Sequence, residues 1–203
     1  MATAESFVSV FAACFCRDNN DKECKMIDFD EILKQAQETK PISEYIDCKT
    51  GEYKGDISFA GVYIFWFGNS DKKIKELERN LKIKAPKGKE QNLTWNWNLD
   101  NEKICLYVGK STNIKKRLGQ HLCLKIDSLA PIEPNKLNKR TTGCQFRAGF
   151  DYLYQGKNVD IFERMNKRIH LAILPDEDFI RRFYIEDFLI GKLLPWFNLD
   201  SER

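Results

Sequence analysis

Histidine is scarce in this 203-residue chain: there are two, His121 and His170, with three methionines and six prolines. A lone histidine is usually structural, so each takes a role only from its neighbours. No apolar run approaches the about 20 residues that a membrane-spanning helix needs. The best candidate, Phe7 to Cys16, is far too short, no Lys or Arg precedes it, and Glu5 stands where a leader would be positively charged. A buried strand or helix edge is the better reading. The cysteines (Cys14, Cys16, Cys24, Cys48, Cys105, Cys123 and Cys144) are odd in number and fit no paired zinc spacing. They read as reduced thiols of a cytoplasmic protein, without a disulfide framework. Cys14, Cys16 and Cys24 lack an obvious fourth ligand for a metal. Internal repeats, low-complexity tracts and coiled-coil heptads are also missing.

What is present is an ordinary globular balance, 42% hydrophobic and 31% charged, with a net charge of +3. That length supports one good core, so one domain with embellishments is expected. The small net charge hides segregation. Residues 1–60 carry 7 basic and 12 acidic side chains, and residues 169–203 carry 4 and 7. Between them, residues 72–89 carry 8 and 2, and residues 110–168 carry 13 and 5. Two basic segments between acidic ends suit a polyanion partner, although lysine-rich surfaces are also common as plain solvated faces.

Periodicity outlines the elements. Residues 1–55 read as an accessory segment, with a helix from Asp28 to Thr39 on a Phe29, Ile32, Leu33, Ala36 stripe. Strands are expected at Phe59–Phe67, Asn92–Leu99, Ile104–Lys110 and Ile169–Pro175. Asp71–Lys84 reads as a basic helix with Ile74, Leu77 and Leu81 inward, and Asp178–Lys192 as a final helix lined by Phe179, Phe183 and Ile190. Trp95 and Trp97, with the lysines before them, either stack on nucleic acid or pack onto the core.

The stretch from Tyr107 to His121 is the most informative. An apolar strand ends in Gly109, and Ser111 and Thr112 offer oxygens that can cap a following helix. Ile114, Leu118 and Leu122 form that helix's buried stripe. Arg117 and His121 are four apart and so aim at one place. A guanidinium, an imidazole and a strand-end tyrosine suit phosphodiester cleavage, in which charge is held, a proton is moved and a nucleophile is oriented. Further on, Glu186 sits among Phe183, Leu189 and Ile190 at helical spacing. A carboxylate so placed needs a partner. A divalent cation would serve, as would a salt bridge to Arg117 or Lys110. Asp187 lies about 100° round the helix and is the weaker candidate.

Gly61-Val62-Tyr63 and Tyr107-Val108-Gly109, followed in order by Arg117, His121, Glu186 and Asn198, resemble the GIY-YIG nuclease family from about Phe59 to Asn198. Valine stands in both motifs where isoleucine is usual, and the two tyrosines are 44 positions apart, wider than the family's usual spacing. The resemblance implies an α+β fold: a small three-stranded, mostly antiparallel sheet flanked by helices. On that reading residues 56–203 form the nuclease-like domain, with basic insertions at about 68–102 and 122–168. The resemblance also implies Mg²⁺ (or Mn²⁺) on Glu186, an attacking water activated or oriented by Tyr63 and positioned by Tyr107, and Arg117 on the scissile phosphate. His121 would support Tyr63, Lys110 would help lower a tyrosine pKa, and Asn198 would tie the active-site backbone through its amide. DNA contacts are expected from Lys82, Lys84, Lys87, Lys89, Trp95, Trp97, Lys136, Lys139, Arg140 and Arg147. With five residues after Asn198, no further DNA-binding module is expected there, an arrangement similar to the family's restriction endonucleases. A structure-specific repair nuclease, or a non-cleaving nucleic-acid-binding protein on the same fold, are the alternatives.

Overall fold

Gly61–Phe67 contains no charged side chain and is apolar almost throughout, so it is best satisfied by burial on both faces, at the centre of a sheet. The computed structural model describes residues 27–68, 80–84, 90–94, 103–122, 146, 147, 150 and 160–198, and places Gly61–Phe67 (β2) there, buried along its whole length. The other strands are Lys40–Pro41 (β1), Asn80–Lys84 (β3), Glu90–Thr94 (β4), Ile104–Ser111 (β5) and Ile169–Pro175 (β6). The main sheet has the order β1-β6-β2-β5 and every pairing is antiparallel. The expected three-stranded sheet thus has a fourth, two-residue strand at its edge. Pro41 is tolerated there because an edge strand does not require every backbone donor.

Alternation along β2 divides the core. Tyr63, Phe65 and Phe67 point to one face, and Val62, Ile64 and Trp66 to the other. The first face is covered by the helix Ile114–Leu122 (α2), by Ile161–Arg168 (α3) and by Phe146 and Phe150. Ile114, Leu118 and Leu122 of α2 are fully buried there, each contributing about 1.5–3 kcal/mol. The second face is covered by Phe29–Gln37 (α1) and Phe179–Leu193 (α4). A register shift between Phe65 and Trp66 resets β5, so that Leu106 and Tyr107 both join the first face.

The segment expected to be accessory is knitted into this core from residue 27 onward. Asp28 caps α1 by accepting from the amides of Asp30 and Glu31, and Ile32 and Ala36 are buried. The Trp66 indole donates to the Ala36 carbonyl at 2.9 Å. Ile42, Ile46 and Cys48 pack on the opposite face.

Three local expectations are corrected. Residues 80–84 are a strand, not the end of a helix, because Leu81 and Ile83 alternate with Lys82 and Lys84; β3 pairs with β4 in a separate two-stranded sheet. Helix α2 is capped by Asn113, whose Oδ1 accepts from the Lys116 amide at 2.8 Å, while Ser111 Oγ bonds to Asn113 itself. On α4 the buried residues are Arg182, Ile185 and Leu189, whereas Phe179 and Phe183 face outward.

Candidate active site

The Tyr63 hydroxyl is the meeting point of three side chains. Tyr63 projects from the central strand, and Arg117 and His121 descend on it from successive turns of α2. His121 Nε2 lies 2.8 Å from the hydroxyl and Arg117 Nε donates to it at 3.3 Å. Nε2 accepts the phenolic proton in the tautomer that carries its own proton on Nδ1, and donates to the phenol oxygen in the other. Gln120 steadies the guanidinium by accepting from Arg117 Nη1 at 3.2 Å. Nothing in the sequence singled out Gln120; its spacing of three from Arg117 on one helix is the signal that was there. Tyr107 stands beside this group, its ring 6.1 Å from that of Tyr63 and 5.3 Å from the imidazole. Gly109 is the residue paired with Tyr63 across the sheet, and a Cβ there would overlap the Tyr63 hydroxyl and ring. The glycine is therefore what lets the phenol reach α2.

Burial dominates the electrostatics. It pushes the Tyr63 phenol well above its ordinary 10.0, with a further rise from Tyr107, and Arg117 pulls it only partly back. Tyr63 is thus a neutral hydrogen-bonded phenol in this state and not a free phenolate.

On the second face of the sheet, where β5 meets α4, the Lys110 ammonium is ion-paired with Glu186 Oε2. Of the two salt-bridge partners open to Glu186, the structure uses Lys110. Both side chains are mostly sheltered, 28% and 15% exposed. Burial raises the Glu186 carboxyl above its ordinary 4.5, and Lys110 offsets only part of this. The Glu186 charge also makes ionising Tyr63 harder, so the two groups sense one another. Among the described residues no three His, Cys, Asp or Glu side chains converge. One sheltered carboxylate with no nitrogen or sulfur donor suits Mg²⁺ or Mn²⁺, which take few carboxylates and complete their shells with water and phosphate, and does not suit zinc.

Asn198 makes a two-way tie to the outer edge of β5. Its Oδ1 accepts from the Val108 amide at 2.9 Å and its Nδ2 donates to the Val108 carbonyl at 2.8 Å. The approach is made by α4 ending at Leu194, which takes a left-handed φ of 46°, after which Trp196 and Phe197 donate to the carbonyls of Cys105 and Leu106. The edge strand carrying Tyr107 and Lys110 is thereby clasped.

Of the residues expected to touch DNA, Arg147 is corrected. It is fully buried, donates to the Leu122 carbonyl at 3.1 Å and lies 4.7 Å over the Phe162 ring. A cation there complements the C-terminal end of α2. Lys82 and Lys84 fall on β3. Lys87, Lys89, Trp95, Trp97, Lys136, Lys139 and Arg140 lie outside the described residues.

No protein-family model, curated protein or solved structure matches this chain.

Proposed function

We propose that the protein is a metal-dependent endonuclease that hydrolyses DNA phosphodiester bonds, on a GIY-YIG-like site. The observation that carries this reading is the Tyr63 hydroxyl held between His121 Nε2 and Arg117 Nε, with the Glu186 charge on the other face of the sheet near enough to act on the same phenol. A buried neutral phenol is a poor free base, but this one is wired as a relay. Tyr63 passes its proton to His121 Nε2 as its oxygen takes one from water, so no isolated phenolate forms. The water oxygen bonds to phosphorus as the bond to the leaving oxygen breaks, and that oxygen takes a proton from solvent. Arg117 faces the charge that builds on the phosphate. Tyr107 walls the nucleophile's position, and Asn198 fixes the backbone from which Tyr107 and Lys110 project. When bound at Glu186, Mg²⁺ or Mn²⁺ would neutralise phosphate and leaving-oxygen charge. Lys110, released from Glu186, can then turn to a phosphate oxygen.

The test is plasmid DNA incubated with Mg²⁺ or EDTA, with wild-type protein and Glu186→Gln. Wild type should cleave only with Mg²⁺. The variant should lose at least about a hundredfold in rate, which is the order of effect of removing one group that stabilises a transition state, while still shifting DNA on a gel. Equal cleavage by Glu186→Gln would overturn the assignment. A gel shift from wild type without any cleavage would favour the binding-protein alternative. Discrete fragments would mark a restriction-type enzyme, and nicking a structure-directed one.

A further inference from the structure

Helix α4 exposes two large aromatic side chains to solvent, Phe179 at 65% and Phe183 at 43%. Their placement is not random with respect to the site. At 100° per residue, positions 179, 183 and 186 fall within about 60° of one another on the helix, and 179 to 186 spans about 10 Å. The row therefore leads along one face from Phe179 through Phe183 to Glu186. It is joined to the site by a second interaction: the Lys110 ammonium that pairs with Glu186 also lies 4.7 Å over the Phe183 ring. Tyr184 meets that ring edge-on at 6.1 Å, which supports its position.

An exposed aromatic row is unfavourably hydrated, and covering it with something flat and apolar is favourable. Here the surface is continuous with a lysine and a carboxylate suited to a phosphodiester, so the occupant that fits is the base attached to a bound phosphate. Phe179 and Phe183 are four residues apart, about 6 Å of helix, or roughly two base steps at 3.4 Å each. A base within a duplex has both faces covered by its neighbours, and only an unstacked base can lie on a phenyl ring. Resting on the nuclease reading above, we infer that Phe179 and Phe183 form a stacking platform for unpaired bases beside the scissile phosphate, and that the substrate is DNA with a locally single-stranded stretch.

The experiment is fluorescence anisotropy in EDTA, which removes cleavage from the measurement. Wild type, Phe179→Ala and Phe179→Trp are titrated with a fully paired duplex and with a Y-shaped duplex whose end is splayed. Wild type should prefer the Y-shaped DNA. Phe179→Ala should weaken that binding by at least about fivefold, the lower end for one base stacked on an aromatic ring, and leave the paired duplex unchanged. Phe179→Trp should restore the preference. Equal losses on both DNAs, or no loss on either, would overturn the platform. So would sedimentation showing that Phe179→Ala turns a dimer into a monomer with DNA binding unaltered, since the row would then be an interface between copies. Cleavage by wild type is scored separately with Mg²⁺. Y-shaped binding that depends on Phe179 but without any cleavage would sink the nuclease reading and keep the platform; cleavage indifferent to Phe179 would do the reverse.

Discussion

Glu186 shows how a single sheltered carboxyl can work against stability. Its carboxyl is raised by burial in spite of the neighbouring Lys110. The folded chain therefore holds this proton more tightly than the unfolded chain, and stability falls as pH rises from about the ordinary 4.5 upward. Glutamine cannot ionise and escapes that penalty. In thermal melts, Glu186→Gln should match wild type at pH 4 and become the more stable of the two as pH rises toward 8. A variant less stable than wild type at pH 8 would show that the ion pair with Lys110 outweighs the burial. The same residue marks a boundary of what sequence can tell. That Glu186 needed a partner followed from its apolar neighbours, but the choice between Lys110 and Arg117 as its ion-pair partner depended on where β5 ends relative to α4. Arg117 and His121 were readable as a pair from their spacing. Their shared target, the Tyr63 hydroxyl, required knowing that Gly109 lies opposite Tyr63 in register.

At the scale of elements, the strands and helices with a single dominant periodicity were legible. Helices α1 and α4 and strands β2, β5 and β6 lie within a few residues of where the sequence put them. The failures share a cause, which is competition between two patterns. Residues 71–84 carry apolar residues at helical spacing, yet Leu81 and Ile83 alternate, and the hairpin with Glu90–Thr94 decides for the strand over 80–84. Phe179 and Phe183 also recur at helical spacing, but α4 turns Arg182, Ile185 and Leu189 inward. Periodicity finds a stripe and does not say which way it faces. The clasp from Trp196 to Asn198 tests an element-level claim. Asn198→Asp keeps the acceptor for the Val108 amide, but sets a carboxylate against the Val108 carbonyl. In urea unfolding it should cost about 1–3 kcal/mol, the cost of leaving a sheltered polar group unsatisfied. A loss under ~0.5 kcal/mol would be near the neutral surface value and would show that the clasp does not hold β5.

For the whole molecule, charge segregation is the main guide to how DNA would lie. Of the four lysines Lys82, Lys84, Lys87 and Lys89, the first two lie on β3, in a sheet separate from the one that carries Tyr63, and the other two lie outside the described residues. Replacing all four with glutamine should weaken DNA binding and reduce the slope of log K against log salt by about 0.9 for each phosphate that is no longer neutralised. The melting temperature should stay put. An unchanged slope would assign these lysines to a solvated face and move the DNA surface elsewhere. Arg147 is a caution in the same direction. Its basic character suggested a phosphate partner, but its place at the end of α2 gives it a carbonyl and an aromatic ring instead.

The clasp also has a meaning in time. Val108 and Asn198 are 90 positions apart, so at a synthesis rate of 5–20 residues per second the edge of β5 waits about 5 to 20 seconds for its cover. Until then the strand offers unpaired backbone groups and the apolar run Cys105–Val108 to any passing chain. A copy abandoned on the ribosome in that interval would carry Tyr63, Arg117 and His121 but not the residue that fastens their neighbouring strand, and an early enough stop would leave out Glu186 too. For a protein proposed to cut DNA, synthesis order therefore sets Tyr63, Arg117 and His121 ahead of Glu186 and of the Asn198 that fastens the edge strand.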